Sequence, residues 1–415
     1  MVSNFKLTHD DIKPVHENAL DLFYSGIKSK EGKRTMDGNL KKFLVDVCAD
    51  ILEGDYKQRA QQFVDIARDD QEKAVQMILA YVRKLRQRTN LDKIDSDYLN
   101  PSTLPNKIKP IKKILDMNGL GLGWKRIYSS YPELDNTHKG RGYTKEEIQQ
   151  MLEFSDSLST DFIILTSSSG GIRVGSWDGL TWGDIFPIYE IDGEYRIETK
   201  KEKDVKIVCA GLTIYKGTLD EYVTLISIEA WNKLQEYKKE WTAKMKRPPV
   251  ETDPLLLERF SVPKPITDIA VRNRIGKLVV RAGLRSPLVE GKRRHDVPVT
   301  HGFRRYWDKV MMEQIRKGDT LSALVKKERL LGHEGIVKTD KNYYWTNILD
   351  MVPEYLQAMP ELMISDEERL KRRLDSTEQE NRRLIETSKE KEQALERISE
   401  LEAKVERMQK YYVKK

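Results

Sequence analysis

The chain has 415 residues, a formal net charge of +7 at pH 7, and 39% hydrophobic and 33% charged residues. No apolar run approaches the roughly 20 residues of a membrane-spanning helix, and the polar N-terminal segment has no signal-peptide core. Its two cysteines, Cys48 and Cys209, make no disulfide framework, so a reducing, cytoplasmic setting is expected. The positive charge permits nucleic-acid binding, and the length is enough for two or three domains.

Residues 1–131 are predicted to form a helical domain. In the stretch DDQEKAVQMILAYVRKLRQR, apolar residues recur at helical spacing, with acids at the start and bases at the end. A second helix is predicted in PNKIKPIKKILDM, where apolar residues recur at the same spacing and a glycine-rich stretch follows. Four lysines surround this second helix: Lys107, Lys109, Lys112 and Lys113.

Residues 132–143 contain proline and glycine and no apolar periodicity, and are predicted to be a linker. The TKEE stretch at 144–147 then predicts a helix start stabilised by a capping box. From 144 to 360, helices and strands are mixed. A hairpin is predicted around an Asp-Gly turn in DIFPIYEIDGEYRIET, a second strand pair in LTIYKGTLDEYVTLI, and a helix in ISIEAWNKLQEYKKEWTAKM.

Residues 361–415 contain neither glycine nor proline, and their basic and acidic residues are nearly balanced. Inner positions recur in alternating steps of four and three, with a phase slip near 391 and Asn381 at an inner position. This heptad pattern predicts a coiled-coil-like helix that pairs two protomers. A single solvated helix packed on its own chain is the alternative.

Three short stretches join glycines to cationic or imidazole side chains. SSSGGIRVG places Arg173 among apolar neighbours, where an arginine needs an anion or an acid as its partner. THGFRR places His301 and Arg304 one helical turn apart, and an imidazole beside a guanidinium suits a phosphate oxygen. LLGHEG places His333 after a glycine that ends a helix. Taken alone, the key residue of each stretch is best interpreted as a surface or structural residue. Only the three stretches together can indicate a function.

In this order and spacing, the three stretches resemble the sequence boxes of the tyrosine recombinase, or phage integrase, family. The resemblance covers roughly residues 10–360, and IYKGTLDEYVTLISIEA and NYYW are most similar to archaeal and plasmid-type integrases. It implies a mainly α-helical fold with a small antiparallel β-sheet in the catalytic domain, here residues 144–360. It also implies a two-domain DNA clamp, with residues 1–131 as the helical core-binding domain.

The resemblance implies that Arg173, His301 and Arg304 converge on one scissile phosphate, with His333 donating a further hydrogen bond. A tyrosine would attack the phosphate and leave a 3′-phosphotyrosine and a free 5′-hydroxyl. No metal or cofactor is implied, because arginines supply the positive charge. The implied partners are double-stranded DNA at a specific site and further copies of the chain, as a dimer on one site and a tetramer in synapsis. The expected location is therefore cytoplasmic, at the nucleoid.

The leaving 5′-oxygen needs a general acid, which in this family is a lysine in the hairpin after the first arginine box. Lys216 in IYKGT matches best. Three lysines on a nearby polar turn remain alternatives: Lys200, Lys201 and Lys203. Five further cations are predicted to contact DNA: Lys107, Lys109, Lys112, Lys113 and Arg305.

Two positions depart from the family pattern. Ser176 stands three residues after the first arginine, where the family often has an acid. Asn342 stands nine residues after the last histidine, where the nucleophile is usual, so this loop carries one or two extra residues. Related Asp-x-Tyr-Tyr endings place the nucleophile on the second tyrosine, which favours Tyr344 and leaves Tyr343 as the alternative.

The expected function is site-specific recombination that integrates or excises a mobile element. A type IB topoisomerase or a hairpin telomere resolvase would use the same chemistry, and a non-catalytic DNA-binding protein could share the fold. A topoisomerase relaxes any supercoil as a monomer, whereas a recombinase needs paired specific sites. An experiment on this difference can distinguish a topoisomerase from a recombinase.

Overall fold

The computed structural model of the chain describes residues 18–133, 140–197, 205–261, 263–285, 295–315, 320–333 and 347–367, and scattered residues beyond 367. These residues divide into two compact units, one up to 133 and the other from 140 onward. Each unit has its own hydrophobic core. None of the described helices is long and apolar enough to cross a membrane.

The first unit is built of helices. They are α1 (Ala19–Ser25), α2 (Lys30–Lys41), α3 (Tyr56–Asp69), α4 (Gln71–Thr89), α5 (Leu104–Met117) and α6 (Trp124–Tyr128), with a π-helical continuation of α2 at Lys42–Val47. The two helices predicted from apolar periodicity are α4 and α5. Their apolar faces are buried in the core of this unit because residues three and four apart share one side of a helix.

The second unit combines helices with one small sheet. Its elements are α7 (Lys145–Glu153), α8 (Leu158–Gly170), β1 (Ile185–Ile191), β2 (Glu194–Arg196), β3 (Lys206–Ile214), β4 (Tyr222–Ile226), α9 (Ile228–Met245), α10 (Asp268–Arg281), α11 (His301–Ile315), α12 (Thr320–Leu330) and α13 (Val352–Leu362). The four strands pair antiparallel in the order β2-β1-β3-β4. The predicted fold class, mainly α-helical with a small antiparallel sheet, is confirmed.

Both predicted hairpins are present. Asp192 and Gly193 have positive φ angles of 52° and 80°, as the two-residue turn of a tight hairpin requires, and they join β1 to β2. The second pair is β3 and β4. The predicted capping box is also present, since Thr144 Oγ1 accepts from the Glu147 N–H and Glu147 accepts from the Thr144 N–H.

The helix α8 continues through a row of serines to Gly170. The hydroxyls of Ser168 and Ser169 donate to the Leu165 carbonyl, at 3.2 and 2.6 Å, and so find their partners inside the helix. The helix therefore reaches three residues short of Arg173 and determines where that arginine lies.

Candidate active site

The C-terminal end of α8 packs against α11 and is hydrogen-bonded to it. The indole N–H of Trp307, on α11, donates to the Ser169 carbonyl at 2.8 Å. Gly171 then ends α8 with φ = 61°, a left-handed conformation that favours glycine. A Cβ at Gly171 would lie 2.9 Å from the Trp307 ring, so only glycine allows this close approach.

Arg304 lies on the first turn of α11, and its side chain is buried. Its Nη1 donates to the Gly171 carbonyl and its Nη2 to the Leu331 carbonyl, both at 2.7 Å. Arg173 donates to the same Leu331 carbonyl at 3.4 Å. Two guanidinium groups from distant parts of the sequence therefore meet at one carbonyl oxygen. Burial lowers the pKa of Arg304, and the nearby charge of Arg173 lowers it further.

His333 is the third predicted residue at this point. It follows Gly332, whose φ of 66° ends the helical path of α12. Its Nε2 lies 3.0 Å from Nη2 of Arg304, and its Nδ1 lies 2.5 Å from the carboxylate of Glu328. The structure thus brings the residues of the three sequence boxes, Arg173, Arg304 and His333, into one cluster.

His301 is the first residue of α11, one turn before Arg304, and is exposed. Burial lowers the pKa of its imidazole, and the positive charges of Arg305, Arg304 and Arg173 lower it further. The ring is therefore neutral at pH 7. His301 is therefore near these three arginines.

Lys216 lies in the turn between β3 and β4. Its ammonium group forms an ion pair with Asp184 at 3.1 Å, and this aspartate was not singled out from the sequence. Asp184 is buried, and its other oxygen accepts from the N–H and the hydroxyl of Thr181, both at 2.8 Å. The carboxylate is thus held in place and in turn holds the lysine. The alternative lysines Lys200, Lys201 and Lys203 lie outside the described residues, as do Tyr343 and Tyr344.

Sequence reasoning missed the Tyr222 hydroxyl beside the arginines and noted Ser176 only as a departure from the family pattern. Tyr222 begins β4, and its ring packs against Gly332, where a Cβ would lie 2.5 Å away. The hydroxyls of Tyr222 and Ser176 are both buried. Burial raises the pKa of Tyr222, against the opposing influence of Ser176, Arg304 and Arg173. No spacing pattern marks Tyr222, so only the fold reveals its position.

The four lysines of α5 that are predicted to bind DNA have different surroundings. Lys107 donates to the Asn39 side chain at 2.8 Å. Lys112 forms an ion pair with Asp116, also at 2.8 Å, and Lys109 is exposed. Lys113 lies against Gly26. Three of them, at i, i+3 and i+4, share one face of the helix.

Two cations near this helix were missed by sequence reasoning. Burial lowers the pKa of Lys107, and the positive charges of Lys42 and Arg88 lower it further. These three side chains lie close enough for their positive charges to interact. Arg305, the fifth predicted DNA contact, lies in the second unit, where its Nη1 is buried without a partner among the described residues.

No protein-family model matches the chain, and no curated protein sequence matches it. The solved structures that it resembles include recombinases and an integrase. One is the XerH site-specific recombinase bound to difH substrate in a pre-cleavage complex, at 13% identity and a TM-score of 0.41, covering 80% of this chain and 93% of that one. Another is the XerA recombinase, at 14% identity and a TM-score of 0.33, covering 77% and 98%. A third is a lambda integrase dimer bound to a COC′ core site, at 15% identity and a TM-score of 0.35, covering 78% and 85%. These values are too low to transfer a function.

Proposed function

We propose that the chain is a site-specific DNA recombinase that cleaves and rejoins DNA through a 3′-phosphotyrosine intermediate. One observation carries the proposal: Arg173 and Arg304 donate to the same Leu331 carbonyl, and His333 lies 3.0 Å from Arg304. Three stretches that are far apart in sequence thereby supply two guanidinium groups and an imidazole at one point. Such a set suits the oxygens of a phosphodiester.

In the proposed reaction, a tyrosine oxygen attacks the phosphorus and the bond to the 5′-oxygen breaks. Negative charge builds on the phosphoryl oxygens in the transition state, and Arg173 and Arg304 stabilise it from positions fixed before the reaction. His301 is neutral at pH 7 and can donate a hydrogen bond to the same group without adding charge. The arginine cluster also favours loss of the tyrosine proton, since a phenolate is the better nucleophile.

Lys216 is proposed as the general acid that gives a proton to the leaving 5′-oxygen. The ion pair with Asp184 supports this role, because the buried carboxylate restrains the position of the turn lysine. The reverse step, religation, would return the proton to the lysine as the 5′-hydroxyl attacks. Lys200, Lys201 and Lys203 remain alternatives.

Tyr344 is proposed as the nucleophile, with Tyr343 as the alternative. The two tyrosines follow His333 by eleven and ten positions, so a short segment connects them to the cluster. The proposed partner is double-stranded DNA at a specific site, contacted in part by five cations: Lys107, Lys109, Lys112, Lys113 and Arg305. A dimer on one site and a tetramer in synapsis are proposed for assembly, with the heptad tail as the pairing element. The mobile-element role and the similarity to archaeal or plasmid-type integrases belong to the same proposal.

The test is a covalent trap on DNA selected by the chain itself. A duplex site is first enriched from a random-sequence library by binding, and a nick is then placed beside the cleavage point so that the free strand end is lost. We expect a protein–DNA band on a denaturing gel. Arg173→Ala and Arg304→Lys should each weaken this band by about 100-fold or more, as losing one preorganised donor typically does.

The control is Arg272→Ala on α10, whose side chain is exposed and pairs with Asp268. This variant should trap DNA like the wild type. A wild-type chain that binds the selected site but gives no covalent band would overturn the proposal. A wild-type chain that relaxes supercoiled plasmids without the selected site would indicate a topoisomerase.

A further inference from the structure

Three charged side chains and one histidine, on α11, on α12 and just after it, form a continuous series of contacts that ends at Arg304. Asp308 Oδ1 lies 2.6 Å from Lys327 Nζ, which lies 2.9 Å from one oxygen of Glu328. The other oxygen of Glu328 lies 2.5 Å from His333 Nδ1, and His333 Nε2 lies 3.0 Å from Arg304 Nη2. Asp308 is one helical turn after Arg304, so the series starts and ends on α11.

The two inner members of the series are held in place. Lys327 is buried, and its charge is balanced by the carboxylates of Asp308 and Glu328 on either side. Burial by itself would raise the pKa of Glu328, but the hydrogen bonds from His333 and Lys327 outweigh it and the pKa is lowered. Glu328 is therefore an ionised carboxylate whose two oxygens have separate, fixed partners.

This geometry determines which nitrogen of His333 carries the proton. An ionised carboxylate can only accept hydrogen bonds, so the His333 nitrogen facing Glu328, Nδ1, must be protonated. A guanidinium can only donate, so the nitrogen facing Arg304, Nε2, must be the acceptor. The ring is thus neutral, with a proton on Nδ1 and a lone pair directed at Arg304.

We propose that Glu328, fixed by Lys327 and Asp308, is a positioning residue that holds His333 in this tautomer and directs its Nε2 into the arginine cluster. The consequence for the reaction rests on the proposed function. A phosphate oxygen accepts hydrogen bonds, so His333 can donate to it from Nε2 only after taking one proton from solvent. Arg304 Nη2 then loses its bond to His333 and becomes free to bind the phosphate.

The charges that face His333 come from several elements. Glu328 on α12 is negative and compensates a doubly protonated ring, with Lys327 behind it. Arg304 on α11 is positive and opposes the second proton, as does Arg173, which shares the Leu331 carbonyl with Arg304.

The direct test is NMR of the full-length chain labelled with ¹⁵N at histidine, without DNA. The His333 ring signals are identified by their loss in His333→Gln. We expect a protonated Nδ1 and an unprotonated Nε2 in the wild type, and loss of this pattern in Glu328→Ala. An Nε2–H tautomer in the wild type, or unchanged His333 nitrogen shifts in Glu328→Ala, would overturn the proposal. If Glu328→Ala does not fold, the wild-type tautomer alone decides.

A second test uses the covalent trap as a double-mutant cycle. Glu328→Gln keeps the side-chain size but removes the charge, and should lower the trapping rate about 10- to 100-fold, the effect of losing a charged hydrogen bond. In a His333→Ala background the same change should have almost no effect, because the residue through which Glu328 acts is gone. Equal losses in both backgrounds would show that Glu328 supports the fold and not His333.

The matched control is Glu236→Gln on α9, an exposed glutamate that pairs with Lys233 at 2.7 Å and should leave both readouts unchanged. The two tests separate the two proposals. The NMR result does not depend on DNA cleavage and stands if the recombinase proposal fails. A wild-type chain that traps DNA but shows the wrong tautomer would overturn the role of Glu328 and leave the recombinase proposal intact.

Discussion

Gly171 and Gly179 have similar left-handed backbones but different surroundings. Gly171 has φ = 61° and lies against Trp307, whereas Gly179 has φ = 77° and no heavy atom within 4 Å of a Cβ built on it. Gly179→Ala should lower the free energy of unfolding by about 1–2 kcal/mol through backbone strain alone. Gly171→Ala should lower it by roughly 2–5 kcal/mol, because overpacking against Trp307 is added. Urea denaturation of both variants measures the difference, and equal effects would contradict the close packing of α8 on α11.

The pKa of His301 predicts a pH dependence of stability. This pKa lies below its ordinary value of 6.5 in the folded chain, so the unfolded chain binds a proton first as the pH falls. Stability should therefore rise with pH between the folded-state pKa and 6.5, and this contribution should be constant above 6.5. His301→Gln should flatten the rise in melting temperature over this window. A steeper rise in the variant would show that His301 is not the group responsible.

At the residue scale, motif order allowed Arg173, Arg304 and His333 to be grouped before any fold was known. Glycine turns and cationic side chains at a fixed spacing can be recognised from the sequence alone. Tyr222 and Glu328 were not predicted, because each is a single polar residue in an ordinary strand or helix pattern. Tyr222 and Glu328 matter because of the side chains that the fold places around them. A local sequence pattern contains no information about those neighbours.

At the element scale, the periodic patterns gave the correct type for α4, α5, α9 and both hairpins. Apolar spacing and turn residues are local signals, and tertiary packing agrees with them here. The continuation of α8 through its serines has a tertiary cause. Serine usually favours helix ends, but the carbonyl of Ser169 accepts from Trp307 and Tyr355, and this packing keeps the helix intact.

The junction between α13 and the tail determines where a tail deletion should begin. The buried carboxylate of Glu229 accepts from the N–H groups of Ile364 and Ser365, both at 2.8 Å. Asp366 pairs with Lys145 at 3.0 Å. These residues therefore belong to the packed second unit, although the heptad segment was predicted to start at 361.

Two truncations should consequently behave differently. Deleting 368–415 should leave the melting temperature nearly unchanged and weaken assembly of paired DNA sites more than binding to one site. Deleting 361–415 removes the buried Leu362, Met363 and Ile364 and should lower the free energy of unfolding by roughly 4–8 kcal/mol. Thermal melts, light scattering and gel shifts on one and two sites measure these effects. Normal synapsis without 368–415 would mean that the tail has another role.

At the scale of the whole molecule, a clamp around DNA predicts a steep dependence of affinity on salt. A clamp with 6–10 phosphate contacts should lose on the order of 10³–10⁵ in affinity between 50 and 200 mM salt. Lys109→Ala should reduce the slope of log K against log salt by about one, because its exposed ammonium is available for a phosphate. Lys244→Ala, whose lysine pairs with Glu240, is the control. A flat salt response of the wild type would exclude the clamp.

The central claim is that a tyrosine after His333 becomes covalently bound to DNA at the arginine cluster. The most direct measurement is the covalent trap on the selected, nicked site, run with Tyr344→Phe, Tyr343→Phe and the double variant. Tyr344→Phe should bind DNA like the wild type, because the ring remains, and should give no covalent band, because the attacking hydroxyl is gone. Tyr343→Phe should still trap DNA. The opposite pattern would move the nucleophile to Tyr343, and a double variant that traps DNA like the wild type would contradict the mechanism.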